Sequence, residues 1–590
     1  MNAVTIKVCM GPGGIASGGP DVISAFEAEL KQANVPAVIV EGCSLHKVGC
    51  LGLCSKDVLV DLFVEGTKTT YQYVKPDMVQ RIVKEHILEN NPVSEWLVGE
   101  DYQKFYKKQV KVVLSDCGRV DYDSIDSYID TGGYKATRKT LSSMTPEAVI
   151  EEMKKSGLRG RGGAGFPTGV KWEACRKVPS DQKYIICNAD EGDPGAFMDR
   201  AVIEGNPHVV IEGMIIGAYA IGANKGYVYI RAEYPLAVER LTKALKDARE
   251  KGFLGKKILN SGFDFDIIIK LGAGAFVCGE ETALIASIEG KRGMPRPKPP
   301  FPVHSGLWRK PTVINNVETL ANIPYIINRG APWYASYGTE KSKGTKVFAL
   351  TGKVRNTGLI EVPMGITLKE IIYDIGGGIE NNKTLKAVQT GGPSGGCIPA
   401  DMIHINVDYE SLTQVGSIVG SGGMIVLDED DCMVNIAKYF LQFTQSESCG
   451  KCVPCRIGTK RLLEILDRIT SGKGREGDIE LLKDLAGDIK ATSLCGLGQT
   501  APNPVLSTIR YFREEYEAHL NGKCPAAVCK ELLTYYILEE FCNGCGACLR
   551  ACPSKAITGE KKKLHKIDPA VCIKCGACFD VCKFKAVKKE

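Results

Sequence analysis

The sequence predicts a multidomain chain that combines α/β and α+β domains, and three observations lead to this prediction. Its 590 residues are enough for about four domains of ordinary size. Strand-like and helix-like segments alternate as far as about residue 428, and the pattern is mainly helical from there to about residue 534. The final segment contains two copies of one four-cysteine spacing. We therefore expect an α/β domain over 1–90, a linker over 91–150, a glycine-rich α/β domain over 151–339, a second α/β domain over 340–428, a helical domain over 429–534 and a cysteine-rich domain over 535–590.

Composition argues against two broad classes of protein. Hydrophobic residues make up 44% of the chain and charged residues 24%, and no apolar run is long enough to cross a bilayer, so we do not expect membrane insertion. The start, MNAVTIKVCM, lacks the features of a signal peptide, which predicts a cytoplasmic protein whose cysteines are thiols and metal ligands. The net charge of +6 is small for this length, and nucleic acid binding is not indicated.

Two groups of lysines lie near the carboxyl terminus. They are Lys561 to Lys563, and Lys583 with Lys585, Lys588 and Lys589. Such lysines form either a solvated surface or a docking rim for acidic redox partners.

The first 150 residues contain few polar motifs. VTIKV is strand-like and is followed by a glycine-rich turn, the amphipathic helix pattern DVISAFEAELKQA and the strand-like runs AVIV and DVLVDLFV. This order predicts a small α/β domain. The linker ends in a helix-start signature at Thr145, Pro146 and Glu147.

A glycine-rich loop dominates the middle of the chain, between Ser156 and Trp172. Repeated glycines allow backbone N–H groups to approach a phosphate closely, and Arg159, Arg161 and Lys171 add positive charge there. Four later blocks follow this loop, and the acids and amides in three of them suit ribose or ribityl hydroxyls. The blocks are Asn188–Phe197, Gly272–Thr282, Pro295–Pro302 and Asn315–Thr319.

The two cysteine runs at the end of the chain have the spacing of a bacterial ferredoxin with two [4Fe–4S] clusters. In such runs the fourth cysteine ligates the cluster of the other run. Zinc is the chemical alternative for paired CxxC spacings. The predicted ligand sets are Cys542, Cys545, Cys548 and Cys582 for one cluster, and Cys572, Cys575, Cys578 and Cys552 for the other.

Two further cysteine groups precede this tail. Cys449, Cys452 and Cys455 would lie on one tight turn, with Cys495 brought in by folding. His519, Cys524 and Cys529 are too few for a cubane and suit a structural zinc, with Cys432 as the proposed fourth ligand. The alternative is that Cys432 and His519 are simply buried.

The glycine loop and the four later blocks, in this order, resemble the NADH-binding flavoprotein subunit of respiratory complex I and its relatives. With the amino-terminal domain and the tail included, the resemblance is closest to the B subunit of NAD-dependent electron-bifurcating [FeFe]-hydrogenases and related bifurcating complexes. The resemblance implies FMN bound by Gly160, Arg161, Gly162, Lys171, Asn188, Asp190, Gly279, Glu280, Asn315, Asn316 and Thr319. It also implies a nicotinamide site near Phe166, Lys171, Glu191, Asp193, Phe276, Glu281, Lys298 and Phe301.

The resemblance also implies further cofactors and domain types. Cys449, Cys452, Cys455 and Cys495 would hold a [4Fe–4S] cluster, which makes three such clusters in all. The segment 340–428 resembles a ubiquitin-like insertion. Related thioredoxin-like domains hold a [2Fe–2S] cluster with a Cys-x4-Cys pair and a later Cys-x3-Cys pair. Here Cys9, Cys50 and Cys54 are present, but Gly14 replaces one ligand. Either Cys43 supplies the fourth ligand or the domain is a docking module without a cluster.

These observations predict an enzyme subunit in which FMN exchanges a hydride with NAD(H) or NADP(H) and passes single electrons to iron–sulfur clusters. Lys171 and Arg161 would stabilise the reduced flavin and the phosphates, and Glu281 would place the nicotinamide. Expected partners are a small thioredoxin-like [2Fe–2S] subunit, a larger catalytic subunit and a ferredoxin. The alternatives are a non-bifurcating NADH dehydrogenase or diaphorase subunit, a subunit of a bifurcating formate dehydrogenase or of an NADH:ferredoxin:NADP-type complex, and a scaffold without flavin.

Overall fold

The computed structural model describes residues 4–33, 43–48 and 52–590. The chain forms two compact units. The first contains most of the chain up to Val426, and the second contains Leu427–Glu590 with the short segments Thr384–Ala387 and Gly396–Pro399.

A four-stranded sheet organises the amino-terminal domain. Its strands are β1 (Val4–Cys9), β2 (Cys43–Val48), β3 (Val60–Val64) and β4 (Thr67–Tyr71), in the order β2-β1-β3-β4. Strand β1 is parallel to β2 and antiparallel to β3. The helices are α1 (Pro12–Ala16), α2 (Gly19–Gln32) and α3 (Pro76–Arg81), which continues as a π-helical segment over Ile82–Leu88. The α/β pattern predicted for this part of the chain is therefore present, and the predicted strand AVIV lies outside the described residues.

The expected linker is packed into the protein. Helices α4 (Glu100–Lys107), α5 (Ile125–Asp130), α6 (Lys135–Ser143) and α7 (Pro146–Ser156) run through it. As predicted, Thr145 caps α7, because its hydroxyl accepts a hydrogen bond from the Ala148 N–H at 3.2 Å.

Two buried carboxylates hold this segment in place. Glu361 accepts hydrogen bonds from the backbone N–H groups of Val112, Val113 and Leu114 at 2.9, 3.1 and 2.9 Å. Glu212 accepts from the N–H groups of Tyr134 and Thr137 at 2.9 and 3.0 Å. The backbone of the segment is thus tied to the next domains, which sequence composition does not reveal.

The central domain is built on a second sheet with helices around it. Its strands are β5 (Tyr184–Ala189), β6 (Lys225–Arg231), β7 (Asp266–Gly272) and β8 (Thr312–Asn316), in the order β7-β6-β5-β8. All neighbouring pairs are parallel. The helices are α8 (Thr168–Lys177), α9 (Met198–Gly205), α10 (Pro207–Ile221), α11 (Pro235–Glu250), α12 (Glu281–Ile288), α13 (Val317–Arg329) and α14 (Ala331–Ala335).

Helix α10 lies in the core of this domain, and its sequence explains why. It is apolar around almost its whole circumference, and Val209, Ile211, Met214 and Ile215 are fully buried. A helix that is hydrophobic on all sides is stable only where it is surrounded by other elements.

The segment 340–428 contains further strands. They are β9 (Thr345–Gly352), β10 (Gly358–Pro363), β11 (Leu385–Thr390), β12 (Gly396–Pro399) and β13 (Gly423–Asp428), with helix α15 (Tyr409–Gln414). Strand β9 pairs antiparallel with β10 and parallel with β13. The predicted α/β character of this segment is confirmed.

The second unit begins with a helical domain. Its helices are α16 (Met433–Ser446), α17 (Thr459–Thr470), α18 (Asp478–Thr492), α19 (Gly496–Thr500), α20 (Asn503–Tyr511) and α21 (Arg513–Leu520). Leu441, Leu462, Leu466 and Leu482 form part of its core. The predicted change to helical structure after Asp428 is confirmed. Within the residues that the structure describes, no helix has the length and apolar character needed to cross a membrane.

The tail repeats one small motif. Helices α22 (Ala547–Ala551) and α23 (Ala577–Asp580) each contain the third cysteine of a run. The strands β14 (Tyr535–Ile537) and β17 (Val587–Lys589) pair, as do β15 (Ile557–Thr558) and β16 (Lys566–Ile567). The motif therefore has the duplicated form that its cysteine spacing predicts.

Candidate functional site

The order of strands in the central sheet fixes the place of a binding site. Chain order runs from β5 through β6 to β7 on one side, whereas β8 lies on the other side of β5. Ligands of open parallel sheets bind outside the carboxyl ends of the strands, where the order reverses. Asn188 lies near the carboxyl end of β5, and Asn315 and Asn316 end β8, with Asn188 paired to Asn316 in register. Two blocks separated by more than 100 residues thus meet at one crevice.

A chain of four alternating charges lies at this edge. The Lys171 Nζ contacts Glu281 Oε1 at 2.8 Å and donates to the Ile314 carbonyl, near the end of β8, at 3.0 Å. Lys298 Nζ contacts Glu281 at 3.4 Å and Glu280 at 3.1 Å. Burial opposes ionisation of Glu281, but Lys171 and then Lys298 outweigh it and hold the pKa of this carboxyl below its usual value. Glu281 is therefore an anion at neutral pH.

Glu280 also has a structural role. Its Oε2 accepts hydrogen bonds from the Thr282 and Ala283 N–H groups at 2.8 and 3.0 Å and so caps helix α12. The cap fixes the position of Glu281, the first residue of that helix.

The glycine loop is closed by backbone contacts. The Gly160 N–H donates to the Phe166 carbonyl at 2.9 Å, and the Tyr409 hydroxyl donates to the Gly160 carbonyl at 2.8 Å. A Cβ on Gly162 would lie 3.0 Å from the Cβ of Asn316. The loop thus lies against the end of β8, and a side chain at Gly162 would narrow the crevice. A loop without side chains at these positions allows a ligand to approach the backbone closely.

Arg161 does not have the role that we expected for its side chain. The guanidinium is fully buried and donates to the Thr345 and Lys343 carbonyls at 3.0 and 2.6 Å and to the Tyr334 hydroxyl at 2.9 Å. These acceptors occupy its donors, so it is not available to a phosphate or a reduced flavin. Its backbone N–H donates to the Thr319 hydroxyl at 2.8 Å, which ties the loop to helix α13.

Hydrogen bonds from neighbouring residues fix the side chains of the two asparagines at the end of β8. Trp172 Nε1 donates to Asn315 Oδ1 at 2.9 Å. Asn316 Oδ1 accepts from the Thr319 N–H at 3.2 Å, and the side-chain amide of Asn316 donates to the carboxylate of Asp199. Asp199 carried no signal in the sequence, because an acid on a helix is usually exposed.

The block after β5 is unusually rich in buried acids. Asn188 donates to the Gly279 carbonyl at 3.0 Å and accepts from the Asp190 N–H at 3.1 Å, which joins two of the predicted blocks. Burial raises the pKa of Glu191 to about 7 and that of Asp193 to about 6. Asp193 accepts a hydrogen bond from the Ser421 hydroxyl.

The three predicted aromatic residues differ in exposure. Phe166 and Phe301 are 51% and 50% exposed, whereas Phe276 is half-buried and lies beside Gly192. Large exposed aromatic rings are suited to stacking on a planar ligand. Exposure of Phe166 and Phe301 therefore argues against the alternative that they are core residues.

The Cys449 group is assembled by the helical domain. Cys455 follows Pro454 in a π-helical turn, and Cys495 precedes helix α19. Burial raises the pKa of Cys455 to about 11, with smaller contributions from the nearby thiols of Cys452, Cys495 and Cys449. The thiols of Cys449, Cys452 and Cys495 thus lie near that of Cys455, and a group of four neighbouring thiols fits an iron–sulfur cluster.

A second buried group joins Cys432, His519, Cys524 and Cys529, whose ligand atoms all lie within 4.8 Å of one another. The Cys432 and Cys529 sulfurs are 3.7 Å apart, and His519 Nε2 lies 3.4 and 3.3 Å from them. Sulfurs around zinc at about 2.3 Å would be separated by about 3.7 Å. His519 Nδ1 lies 2.6 Å from the Glu515 carbonyl, and such a bond leaves Nε2 free to ligate a metal. Cys432 therefore lies where the proposed fourth ligand of a zinc ion would be.

In the tail, one cavity shows which cysteines belong together. It is lined by Cys572, Cys575 and Cys578 from the second run and by Cys552 from the first. This is the exchange of the fourth ligand that the spacing predicts. The Ala556 and Ala586 N–H groups donate to the sulfurs of Cys552 and Cys582 at 3.2 and 3.3 Å, in equivalent places of the two halves.

The remaining cysteine predictions have different outcomes. In the amino-terminal domain, Cys9 is buried and Cys54 is partly buried. Cys50 and the side chain of Cys43 lie outside the described residues, so the predicted [2Fe–2S] site stays a prediction. The other cysteines are buried, as expected: Cys117, Cys175, Cys187, Cys278 and Cys397.

Comparison with known proteins agrees with this geometry. Profiles match four segments of the chain: the Nuo51 FMN-binding domain (residues 153–325), the SLBB domain (347–398), the NADH-ubiquinone oxidoreductase-F iron-sulfur binding region (435–519) and a 4Fe-4S dicluster domain (541–586). The SLBB match lies in the segment expected to be a ubiquitin-like insertion.

Similar proteins and structures cover most of the chain. The NADP-reducing hydrogenase subunit HndC of Solidesulfovibrio fructosivorans is 62% identical over 460 residues, which is 78% of this chain and 94% of that protein. The F subunit of the NADH-quinone oxidoreductase of Aquifex aeolicus is 48% identical over 67% of this chain and 91% of that protein. The crystal structure of an air-oxidised NAD+-reducing [NiFe]-hydrogenase aligns with a TM-score of 0.61 and 31% identity, covering 88% of this chain and 86% of that chain. The chain therefore belongs to the family of NAD(P)H-dependent flavoprotein subunits that bind FMN and iron–sulfur clusters in respiratory complex I and related hydrogenases.

Proposed function

We propose that this chain is the NAD(P)H-reactive subunit of a cytoplasmic, multisubunit, hydrogenase-like complex that bifurcates electrons. The observation that carries the proposal is the presence, in one chain, of the flavin crevice and the tail with paired cysteine runs. The 4Fe-4S dicluster match at 541–586 and the similarity to HndC support it.

The chain's own residues would act on the bound groups as follows. The glycine loop at Gly160, Arg161 and Gly162 would form one wall of the FMN site, with Asn188, Asp190, Gly279, Glu280, Asn315, Asn316 and Thr319 around the rest of the molecule. When bound, FMN supplies hydride acceptance and one-electron release, and the clusters supply one-electron transfer.

Lys171 and Glu281 would be the catalytic pair. Lys171 supplies a cation at the crevice, where it would stabilise negative charge on the reduced flavin. Glu281, held as an anion by Lys171 and Lys298, would orient the nicotinamide carboxamide. Phe166, Phe276 and Phe301, with Glu191, Asp193 and Lys298, would complete the nicotinamide side of the site.

The chain would form one part of a larger assembly. Expected neighbours are a small thioredoxin-like [2Fe–2S] subunit and a larger catalytic subunit, with a ferredoxin as an acceptor or donor. A [2Fe–2S] cluster on Cys9, Cys43, Cys50 and Cys54 is part of this proposal.

A non-bifurcating NADH dehydrogenase subunit is the second candidate. The similarity to the F subunits of NADH-quinone oxidoreductases, over 67% of this chain, favours it. The test uses the native complex, purified anaerobically. Bifurcation requires that the electron-pair donor, H2 for a hydrogenase-like complex, reduces ferredoxin only when NAD(P)+ is also present as the higher-potential acceptor. Reduction of NAD(P)+ at a rate that does not depend on ferredoxin would favour the second candidate.

Cofactor analysis of this chain, purified anaerobically and separated from the other subunits, checks the sites. We expect one FMN and about twelve iron atoms per chain from three [4Fe–4S] clusters, or about fourteen if the amino-terminal [2Fe–2S] cluster is present. A preparation without flavin would favour a scaffold.

We also propose that Cys432, His519, Cys524 and Cys529 hold a structural zinc ion. Cys432→Ser is expected to reduce bound zinc from about one to below about 0.2 per chain and to lower the midpoint of unfolding, because a buried four-ligand site couples metal binding to folding. Zinc is measured by inductively coupled plasma mass spectrometry.

Cys397→Ser is the matched control, since Cys397 is a buried cysteine of the same unit that lies outside the four-ligand group. It should retain the metal. Absence of zinc from the unsubstituted protein, or its retention in Cys432→Ser, would rule the site out.

A further inference from the structure

The two halves of the tail differ at one equivalent position. The difference separates an inner end, which contacts the rest of the second unit, from an outer end, which faces solvent. Each run has a residue with positive φ before its second cysteine: Gly544 at +67° and Lys574 at +55°. The first has no side chain and the second has a long cationic one. The two runs therefore face different surroundings.

Lys574 joins the second run to the rest of its unit. Its Nζ donates to the Glu531 carbonyl at 2.5 Å, and Lys589 donates to the Ala527 carbonyl at 2.9 Å. Ala527 and Glu531 flank Cys529 of the buried Cys/His group. The run Cys572–Cys582 therefore lies at the inner end.

Gly544 instead receives a loop of lysines. The Lys562 N–H donates to the Gly544 carbonyl at 3.0 Å, and a Cβ on Gly544 would lie 2.4 Å from the Lys563 backbone nitrogen. Buried His565 braces the loop, since its Nδ1 lies 3.1 Å from the Lys563 carbonyl. The loop is thus fixed against the first cysteine run, and its three side chains, Lys561 to Lys563, point into solvent.

Charge is concentrated in this part of the chain. Residues 535–590 contain eleven Lys and Arg against six Asp and Glu, a net charge of +5, whereas the whole chain has +6. Thiolate-bound clusters are anionic and balance part of this charge. The exposed lysine loop lies beside the first run, together with Lys583 and Lys585, which adjoin the exchanged ligand Cys582 and are also exposed.

Exposed apolar side chains adjoin the first cysteine run and the lysines beside its exchanged ligand. Phe541 adjoins Cys542 and is 53% exposed, and Phe584 lies between Lys583 and Lys585 and is 48% exposed. Apolar groups within a charged rim are typical of surfaces that bind another protein, while the charges set the rate and the choice of partner.

We infer that the lysine loop Lys561–Lys563 and the adjoining Lys583 and Lys585 form the docking surface for an acidic one-electron carrier protein. A carrier bound to this surface would lie next to the first cysteine run, and the second run would pass electrons on towards the rest of the unit. The inference rests on the proposed redox function of the tail and adds a partner and a direction to it.

Binding to a purified acidic [2Fe–2S] ferredoxin tests the inference, with the complete, cluster-loaded chain. The triple variant Lys561→Gln, Lys562→Gln, Lys563→Gln should raise the Kd about tenfold at low ionic strength, and the difference should shrink to about twofold at high salt because screening removes the contribution of these charges. The rate of electron transfer from reduced ferredoxin, measured by stopped flow, should fall in parallel.

The matched control has the same change of charge in the same unit: Lys460→Gln, Lys473→Gln, Lys523→Gln, three exposed lysines outside the tail. It should bind ferredoxin within about twofold of the unsubstituted chain. NADH oxidation with a dye acceptor and the flavin content should be unchanged in both variants, since none of these lysines lies in the flavin crevice.

The inference would be overturned by equal weakening in both triple variants, by no weakening in the Lys561–Lys563 variant, or by equal loss of binding to a basic cytochrome c. A change in the reduction potentials of the tail clusters with an unchanged Kd would also overturn it, since the lysines would then serve only to balance the clusters. Failure of the proposed function would be seen separately, as absent NADH oxidation or flavin in the unsubstituted chain.

Discussion

Replacing Lys171 by alanine is expected to lower NADH oxidation with a dye acceptor by about 100-fold or more, because it removes a cation that is already in place at the crevice. The substitution also removes the 2.8 Å partner of Glu281 and the donor to the Ile314 carbonyl. Glu281 would then carry its charge with only Lys298 beside it. Initial rates at saturating NADH, normalised to bound flavin, measure the effect.

Lys177→Ala is the matched control on the same helix. Lys177 is exposed, and its ion pair with Glu173 lies on the surface of α8, where such pairs contribute little. We expect unchanged rates and flavin content. Glu281→Gln, which keeps the shape of the side chain, should raise the KM for NADH more than it lowers the rate at saturating NADH. An unchanged rate in Lys171→Ala would remove this lysine from the catalytic site.

Replacing Lys346 by methionine is expected to destabilise the central domain by about 3–5 kcal/mol, since breaking a buried ion pair leaves an uncompensated charge. Lys346 and Glu318 are almost completely buried, and their charged atoms are 2.5 Å apart. Lys346 Nζ also donates to the Val347 and Ser421 carbonyls at 2.6 Å each. Thermal unfolding followed by flavin release measures the loss.

The double variant Lys346→Met, Glu318→Gln is the control for this prediction. It removes both charges, so it should recover a substantial part of the lost stability, as replacing a whole buried pair usually costs much less than breaking it. Lys346→Met alone should also disturb the flavin site, because its partner Glu318 lies in helix α13, which begins next to Asn316. Equal stability of the single and double variants would show that the pair does not act as a unit.

The sequence predicts most of the secondary structure and the blocks of the site, because both depend on local patterns. Helix α7 begins where Thr145 and Pro146 indicate, and each tail run has the expected spacing. The meeting of Asn188 with Asn316 depends instead on the order of strands in the sheet, which no local pattern contains.

Arg161 shows that a residue's role cannot always be inferred from its type and its place in a motif. An arginine in a glycine-rich loop suggests a phosphate contact, but three of its acceptors come from residues 334–345, far along the chain. Tyr409, which holds the loop through Gly160, is equally distant. By contrast, Cys432 could be proposed as the ligand that completes the group of His519, Cys524 and Cys529, because it is a spare thiol just upstream of the helices that carry the Cys449 group.

The hydrogen bonds from the backbone of Val112–Leu114 to Glu361 limit how far the protein can be shortened from its amino-terminal end. A fragment that begins at residue 151 would contain this buried carboxylate without the three N–H groups that stabilise its charge. Burial already raises the pKa of Glu361 to about 7 in the intact chain. The smallest autonomous piece that contains the flavin crevice therefore begins before Val112, in a stretch that carries none of the binding motifs.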